Sequence, residues 1–220
     1  MREGEFQNHS AVYETALSTI WSDLCSGKAR IMASSATQQR YVLRVARSAG
    51  FRRIPNGESI ALLRRVLLGR SQKAVALEFG CAPSTMAGRL RECLASMGLG
   101  CRLSRVPAII VQLLHELERP EPRLRTSVQL HQEPDGSVRL ESERAELGLA
   151  RVLSEAEINV VALIAEGRTY AEVARERRAS VRTVANQLSS VYRKLRISGR
   201  LELLCFLAGE ADLLQPREAA

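Results

Sequence analysis

The stretch Gly167–Leu188, GRTYAEVARERRASVRTVANQL, has an imperfect copy 98 positions earlier at Gly69–Leu90, GRSQKAVALEFGCAPSTMAGRL. That offset aligns the two without a gap, with identities at Ile60/Ile158, Gly69/Gly167, Arg70/Arg168, Val75/Val173, Ala76/Ala174 and Glu78/Glu176. Further identities fall at Thr85/Thr183, Ala87/Ala185, Leu90/Leu188, Arg102/Arg200 and Leu103/Leu201. At average residue usage roughly one position in sixteen matches by chance. The enrichment is several-fold, so the span is an internal repeat, and the chain must build one small unit twice.

Within each copy the periodicity is helical. SEAEINVVALIAEG opens with Ser154 and Glu157 at capping-box spacing and places Ile158, Val161 and Ala165 on one face. Gly167 ends that helix, and Thr169 caps a second one that turns Val173 and Ala174 inward. After a tight turn at Arg178-Ala179-Ser180, a third helix presents Val184, Leu188, Val191 and Leu195 to the core. GRLELLCFLAGEADLL reads as a fourth. The first copy repeats the pattern with Ile60, Leu63 and Leu67, then Val75, Ala76 and Phe79, then Met86, Leu90 and Met97.

Outside the copies the pattern shortens to period two. TSVQLHQEPDGSVRLESE alternates Val128, Leu130 and Val138, Leu140 around Pro134-Asp135-Gly136, a strong hairpin signal. ARIMASSATQQRYVLRVAR does the same more weakly at Tyr41, Leu43 and Val45. ERPEPRL, Glu118 to Leu124, reads as a linker. An N-terminal helix places Tyr13, Leu17, Ile20, Trp21 and Leu24 at packing spacing. The predicted organisation is an N-terminal helix and hairpin over 1–55, a first helical domain over 56–117, and a linker with hairpin over 118–150. A second helical domain then covers 151–215, with a tail over 216–220.

Two short helices joined by a tight turn, the second bearing small and polar outward residues, suit the DNA major groove. The candidate base contacts in the second copy are Arg182, Asn186 and Gln187, because Arg pairs bidentately with guanine and Asn or Gln with adenine. Thr183, Arg193 and Lys194 are the candidate phosphate contacts. In the first copy the corresponding expectations are Ser84 and Arg89 toward bases, and Lys73, Thr85 and Arg91 toward phosphates. A net charge of +8 on 220 residues suits a polyanionic partner.

Leu153 to Leu204 resembles the LuxR-type helix-turn-helix domain. The residues that carry the resemblance are Leu153, Ser154, Glu157, Gly167, Arg182, Thr183, Val184, Lys194, Leu195, Ile197, Ser198 and Arg200. Asn56 to about Leu114 resembles the same domain in degenerate form, with Ser96-Met97 in place of Lys-Leu and Gly88 inside the third helix. The second copy departs at the turn, where Arg177-Arg178 stands in place of an aliphatic residue and glycine. The resemblance implies a mainly α fold of two tandem four-helix LuxR-type helix-turn-helix domains, each preceded by a small β-hairpin. It also implies a bacterial transcription regulator whose third helix reads double-stranded DNA and whose fourth helix supports dimerisation.

The fourth helices, VPAIIVQLL and LELLCFLAG, are apolar around most of their circumference and need cover on more than one side. Ile110, Leu113, Leu204 and Leu207 are therefore expected to pair, in a homodimer or in an intramolecular pseudo-dimer. Packing by the hairpins and the N-terminal helix is the other source of cover. Five scattered cysteines form no C-x-x-C pair, and the three histidines have no partners at triad or ligand spacing. The expectation is a protein with no enzymatic activity, cofactor or metal, without a signal core or membrane span, cytoplasmic and nucleoid-associated on DNA. The 55 residues ahead of the first copy are too few for a receiver or signal-binding domain. Three functional readings stand together: a sequence-specific regulator, a protein-interaction module that binds RNA polymerase or another regulator, and an architectural nucleic-acid binder.

Overall fold

The computed structural model describes residues 15–36, 40–47, 54–118, 128–143 and 149–208. A first helix, α1, runs over residues 15–25 and buries Leu17, Ile20, Trp21 and Leu24, the spacing anticipated for packing. Tyr13, residues 119–124 of the predicted linker and the chain after 208 lie outside the described residues. Strands β1 (Ala29–Ala36) and β2 (Arg40–Arg47) follow, then helices α2 (Gly57–Leu67), α3 (Gln72–Glu78), α4 (Pro83–Ser96) and α5 (Ala108–Glu118). Next come β3 (Val128–Gln132) and β4 (Val138–Glu143), and then α6 (Glu155–Ala165), α7 (Tyr170–Glu176), α8 (Val181–Leu195) and α9 (Arg200–Leu207).

The 98-residue offset survives into backbone geometry. Helices α2, α3 and α4 start 98 positions before α6, α7 and α8. Three left-handed residues recur at the same interval: Gly69 (φ 91) and Gly167 (φ 96), Gly80 (φ 58) and Arg178 (φ 50), Gly98 (φ 83) and Arg196 (φ 56). Each ends a helix, where a positive φ turns the chain away and satisfies the last carbonyls. The N-caps repeat too. Asn56, Ser71, Ser154 and Thr169 each accept a bond from the amide three residues on.

The gapless alignment fails after the third helix. Arg200 begins α9, whereas Arg102 precedes a 3₁₀ turn at Leu103–Arg105 and α5 begins only at Ala108. The identities Arg102/Arg200 and Leu103/Leu201 therefore join non-equivalent places, because the first copy spends extra residues between its third and fourth helices.

The two hairpins also differ from expectation, since they are not separate preludes to two domains. They join through their second strands into one four-stranded antiparallel sheet of order β1-β2-β4-β3. Leu43 stands opposite Leu140, Tyr41 opposite Ser142 and Val45 opposite Val138. Joining the inner strands satisfies both of their open backbone edges at once and leaves only β1 and β3 at the rims. The apolar face, with Tyr41, Leu43, Val45, Val128 and Leu140 buried, lies on α5 through β2 and β3. The outer face carries ion pairs, among them Arg40–Glu141 and Arg139–Glu141, both at 2.6 Å.

Helix α5 occupies the centre. Every residue from Ala108 to His115 is buried, and the helix packs on α2, on the sheet and on α9. Ile110, Leu113, Leu204 and Leu207 are all at 0–1% exposure within the single chain. No helix among the described residues is long and apolar enough to cross a membrane.

Candidate nucleic-acid interface

The α7–turn–α8 segment is fixed by local bonds before any ligand is considered. Thr169 and Glu172 close a capping box on α7: the Thr169 amide donates to Glu172 Oε2 at 2.7 Å, and the Glu172 amide donates back to Thr169 Oγ1 at 3.3 Å. Arg178 then takes the left-handed conformation and the Ala179 amide reaches back to the Ala174 carbonyl at 2.9 Å, which makes the turn tight. Ser180 starts α8 by accepting from the Thr183 amide at 3.0 Å.

Val184, Leu188 and Val191 bury one face of α8 against α6 and α7. With that face anchored, helical spacing turns Arg182, Thr183, Asn186, Ser189 and Arg193 outward, and all five are exposed. Val181 adds a half-exposed apolar side chain at the helix start, a shape suited to a thymine methyl group. Sequence reasoning passed over Val181 because it reads as one more apolar residue of a core helix.

Three candidate contacts are already engaged inside the protein. Lys194 Nζ donates to Glu157 Oε2 at 2.7 Å. Its ammonium thus ties the end of α8 to the start of α6 and is not a free phosphate contact. That carboxylate, 94% buried by surface area, also accepts from the Ser154 amide at 2.8 Å. The Lys194 ammonium, then the bonds from Ser154 and Ser190, hold the Glu157 carboxyl at about 2, against the burial that opposes them. Gln187 is half-buried and accepts from Arg177 Nη1 at 2.6 Å, so the Arg177 head lies along α8 and not out in solvent. Arg89, at the matching place in the first copy, pairs with Glu58 at 2.7 Å and points back at α2. The position shared by Arg89 and Gln187 thus holds, in both copies, a half-buried side chain bonded to a neighbour within the protein. Ser84, Thr85 and Arg91 stand exposed on α4, and Lys73 is exposed on α3.

Five exposed arginines around the second unit, Arg175, Arg178, Arg182, Arg193 and Arg196, have no ion pair among the described residues. Arg175, Arg178 and Arg196 were missed because they belong to a helix end or a turn and fit no outward stripe. Behind them Arg200, its basicity pushed down to about 10 by burial, donates to the Ile164 and Arg168 carbonyls at 2.8 Å and closes the end of α6. Of the cysteines, Cys25, Cys93 and Cys205 are buried, Cys81 is half-buried and Cys101 is exposed. Burial lifts the Cys25 thiol to about 12 and Cys93 to about 11, so both are packed thiols and poor nucleophiles.

An anchored short helix, a tight turn and a longer helix with an outward polar and cationic stripe make α6–α9 a helix-turn-helix domain. Residues 151–207 match the family model of bacterial regulatory proteins, luxR family. No curated protein and no solved structure matches the chain.

Proposed function

We propose that this chain is a transcription regulator that binds double-stranded DNA by setting α8 into the major groove, and that α2–α5 are a divergent second copy of the same unit. The observation that carries the reading is the outward stripe of α8. Arg182, Thr183, Asn186 and Arg193 lie exposed along it, and among the described residues none has a side-chain partner that a base or phosphate would have to displace, apart from the Thr183–Ser180 hydroxyl contact at 2.8 Å. Arg182 and Asn186 sit in the first half of the helix, where a groove-bound helix presents side chains to base edges. Arg193 lies two turns further on, at the distance of the flanking backbone.

The test is selection from random duplexes with the full chain, followed by titration of Asn186→Ala on the selected site. The substitution costs about 1–3 kcal/mol and relaxes one base position. An unchanged motif and affinity would show that α8 does not read bases. If wild-type protein selects no motif, the regulator reading fails as a whole.

A further inference from the structure

The two units differ most where the second is best equipped. The positions 98 residues before Arg175, Arg178, Arg182, Arg193 and Arg196 hold Leu77, Gly80, Ser84, Ala95 and Gly98. Each of these five arginines thus aligns with an uncharged residue in the first. Residues 170–196 carry seven cations and two carboxylates, a net of +5, while the aligned residues 72–98 carry three and two, a net of +1. Glycine (Gly88) also stands where the second unit has Asn186, so the first unit has no side chain at its central outward place. Of the two arginines in residues 72–98, Arg89 is turned inward onto Glu58, and Arg91 stands exposed where the second unit has Ser189. Leu77, by contrast, is 83% exposed on α3, an apolar side chain where a phosphate contact would have to be.

Resting on the DNA-reading assignment above, we infer that a single chain grips DNA through the 170–196 unit alone, at one site without two-fold symmetry, while the first unit serves as a built-in partner for α9. Helix α9 is apolar from Leu203 to Leu207, and inside the single chain α5 covers it, leaving Leu203, Leu204 and Leu207 at 0–1% exposure. The Cys205 thiol completes the contact on the first unit by lying 3.6 Å from the Leu67 carbonyl. Among the described residues Leu201 and Phe206 stay partly exposed, but the Leu203, Leu204 and Leu207 face is covered, so most of the cover that drives helix pairing is supplied within the chain. Two equal readers on one duplex would need two comparable cationic faces, and the aligned stretches carry a net of +5 and +1.

Three measurements on the full chain test the inference. Random-duplex selection is expected to return a single short motif without two-fold symmetry, and native mass spectrometry of the complex one chain per duplex. The third compares paired charge insertions at exposed positions, with folding checked by circular dichroism. Arg175→Glu with Arg182→Glu reduces the log–log salt slope of binding by about two units, while Leu77→Glu with Ala87→Glu changes affinity less than about twofold. A palindromic motif, two chains per site, or a loss from the Leu77/Ala87 variant as large as that from the Arg175/Arg182 variant would overturn the single-reader arrangement and leave DNA reading intact. Selection of no motif by the wild-type chain would sink DNA reading itself, and the single-reader arrangement with it.

Discussion

Arg178 and Arg196 are the residues at which the chain most openly trades stability for charge. Both hold a left-handed backbone, φ 50 and φ 56, where the first unit has Gly80 and Gly98. A side chain there costs about 1 kcal/mol relative to glycine. Each also sits just past a helix C-terminus, where a cation meets the negative end of the dipole. Arg196→Gly should therefore raise stability by up to about 1 kcal/mol and lower the salt slope of DNA binding by about one unit. Urea midpoints and a salt titration on the same variant measure both; a stable variant with an unaltered slope removes Arg196 from the interface. Gly167 lies at the other extreme. Its φ is 96, and an added Cβ would come 2.7 Å from the Arg105 carbonyl oxygen, whereas at Gly80 it would meet nothing within 4 Å. Gly167→Ala should cost about 1–3 kcal/mol more than the strain shared by both sites, and Gly80→Ala only that strain. Equal losses in the two variants would show that the loop at Arg105 gives way. The turn mismatch at Arg178 could be read from the repeat, since glycine stands at the matching place. Arg196 carries the same signal, since Gly98 stands at its matching place, but that comparison lies 98 residues away and nothing in its own neighbours marks a left-handed position.

Among the elements, the junction between α6 and α8 shows what local reading can and cannot reach. The capping box at Ser154 and Glu157 was visible as a spacing of three, and both of its bonds form. The third partner was not, because Lys194 lies 37 residues away and a lysine near a helix end reads equally well as a phosphate contact. The same limit hid the sheet: each hairpin was legible in its own alternation, but β2 pairs with β4 across a long separation in the chain, to which no short-range signal points. Glu157 gives the junction a pH signature. Its folded carboxyl is depressed to about 2 from the ordinary 4.5, so its contribution is present above pH 4.5 and is lost as the pH falls through that range toward 2. Lys194→Ala leaves a buried carboxylate without its cation and should cost on the order of 2 kcal/mol at neutral pH. The gap between variant and parent should close on acidification, because protonating Glu157 removes the charge that the lysine satisfied. Urea unfolding at pH 7 and pH 3 reads this directly. A gap that is the same at both pH values would mean that Lys194 acts through packing of its stem and not through the ion pair.

Across the whole molecule, the shared sheet and the central α5 join α2–α5 to α6–α9 through buried contacts, from which a single cooperative unfolding transition is expected. Two tandem domains on a linker would unfold independently, each around its own core. Here α5 of the first unit is walled by β2 and β3 on one side and α9 of the second unit on another, so neither half keeps its buried surface if the other opens. Trp21 is the chain's sole tryptophan, 6% exposed on α1, and reports the N-terminal half alone. Leu204 is 1% exposed on α9, far along the chain in the other half. Truncating a buried leucine to alanine costs about 2–5 kcal/mol through lost transfer energy and the cavity left behind. If the body is cooperative, Leu204→Ala lowers the urea midpoint seen by Trp21 fluorescence and the midpoint seen by far-ultraviolet circular dichroism by the same amount. Two separating transitions, with the Trp21 midpoint unmoved, would mean that the repeats fold apart and that α5 covers α9 only loosely. In that case α9 would be free to recruit a second chain, and the one-chain, one-site arrangement would lose its structural footing.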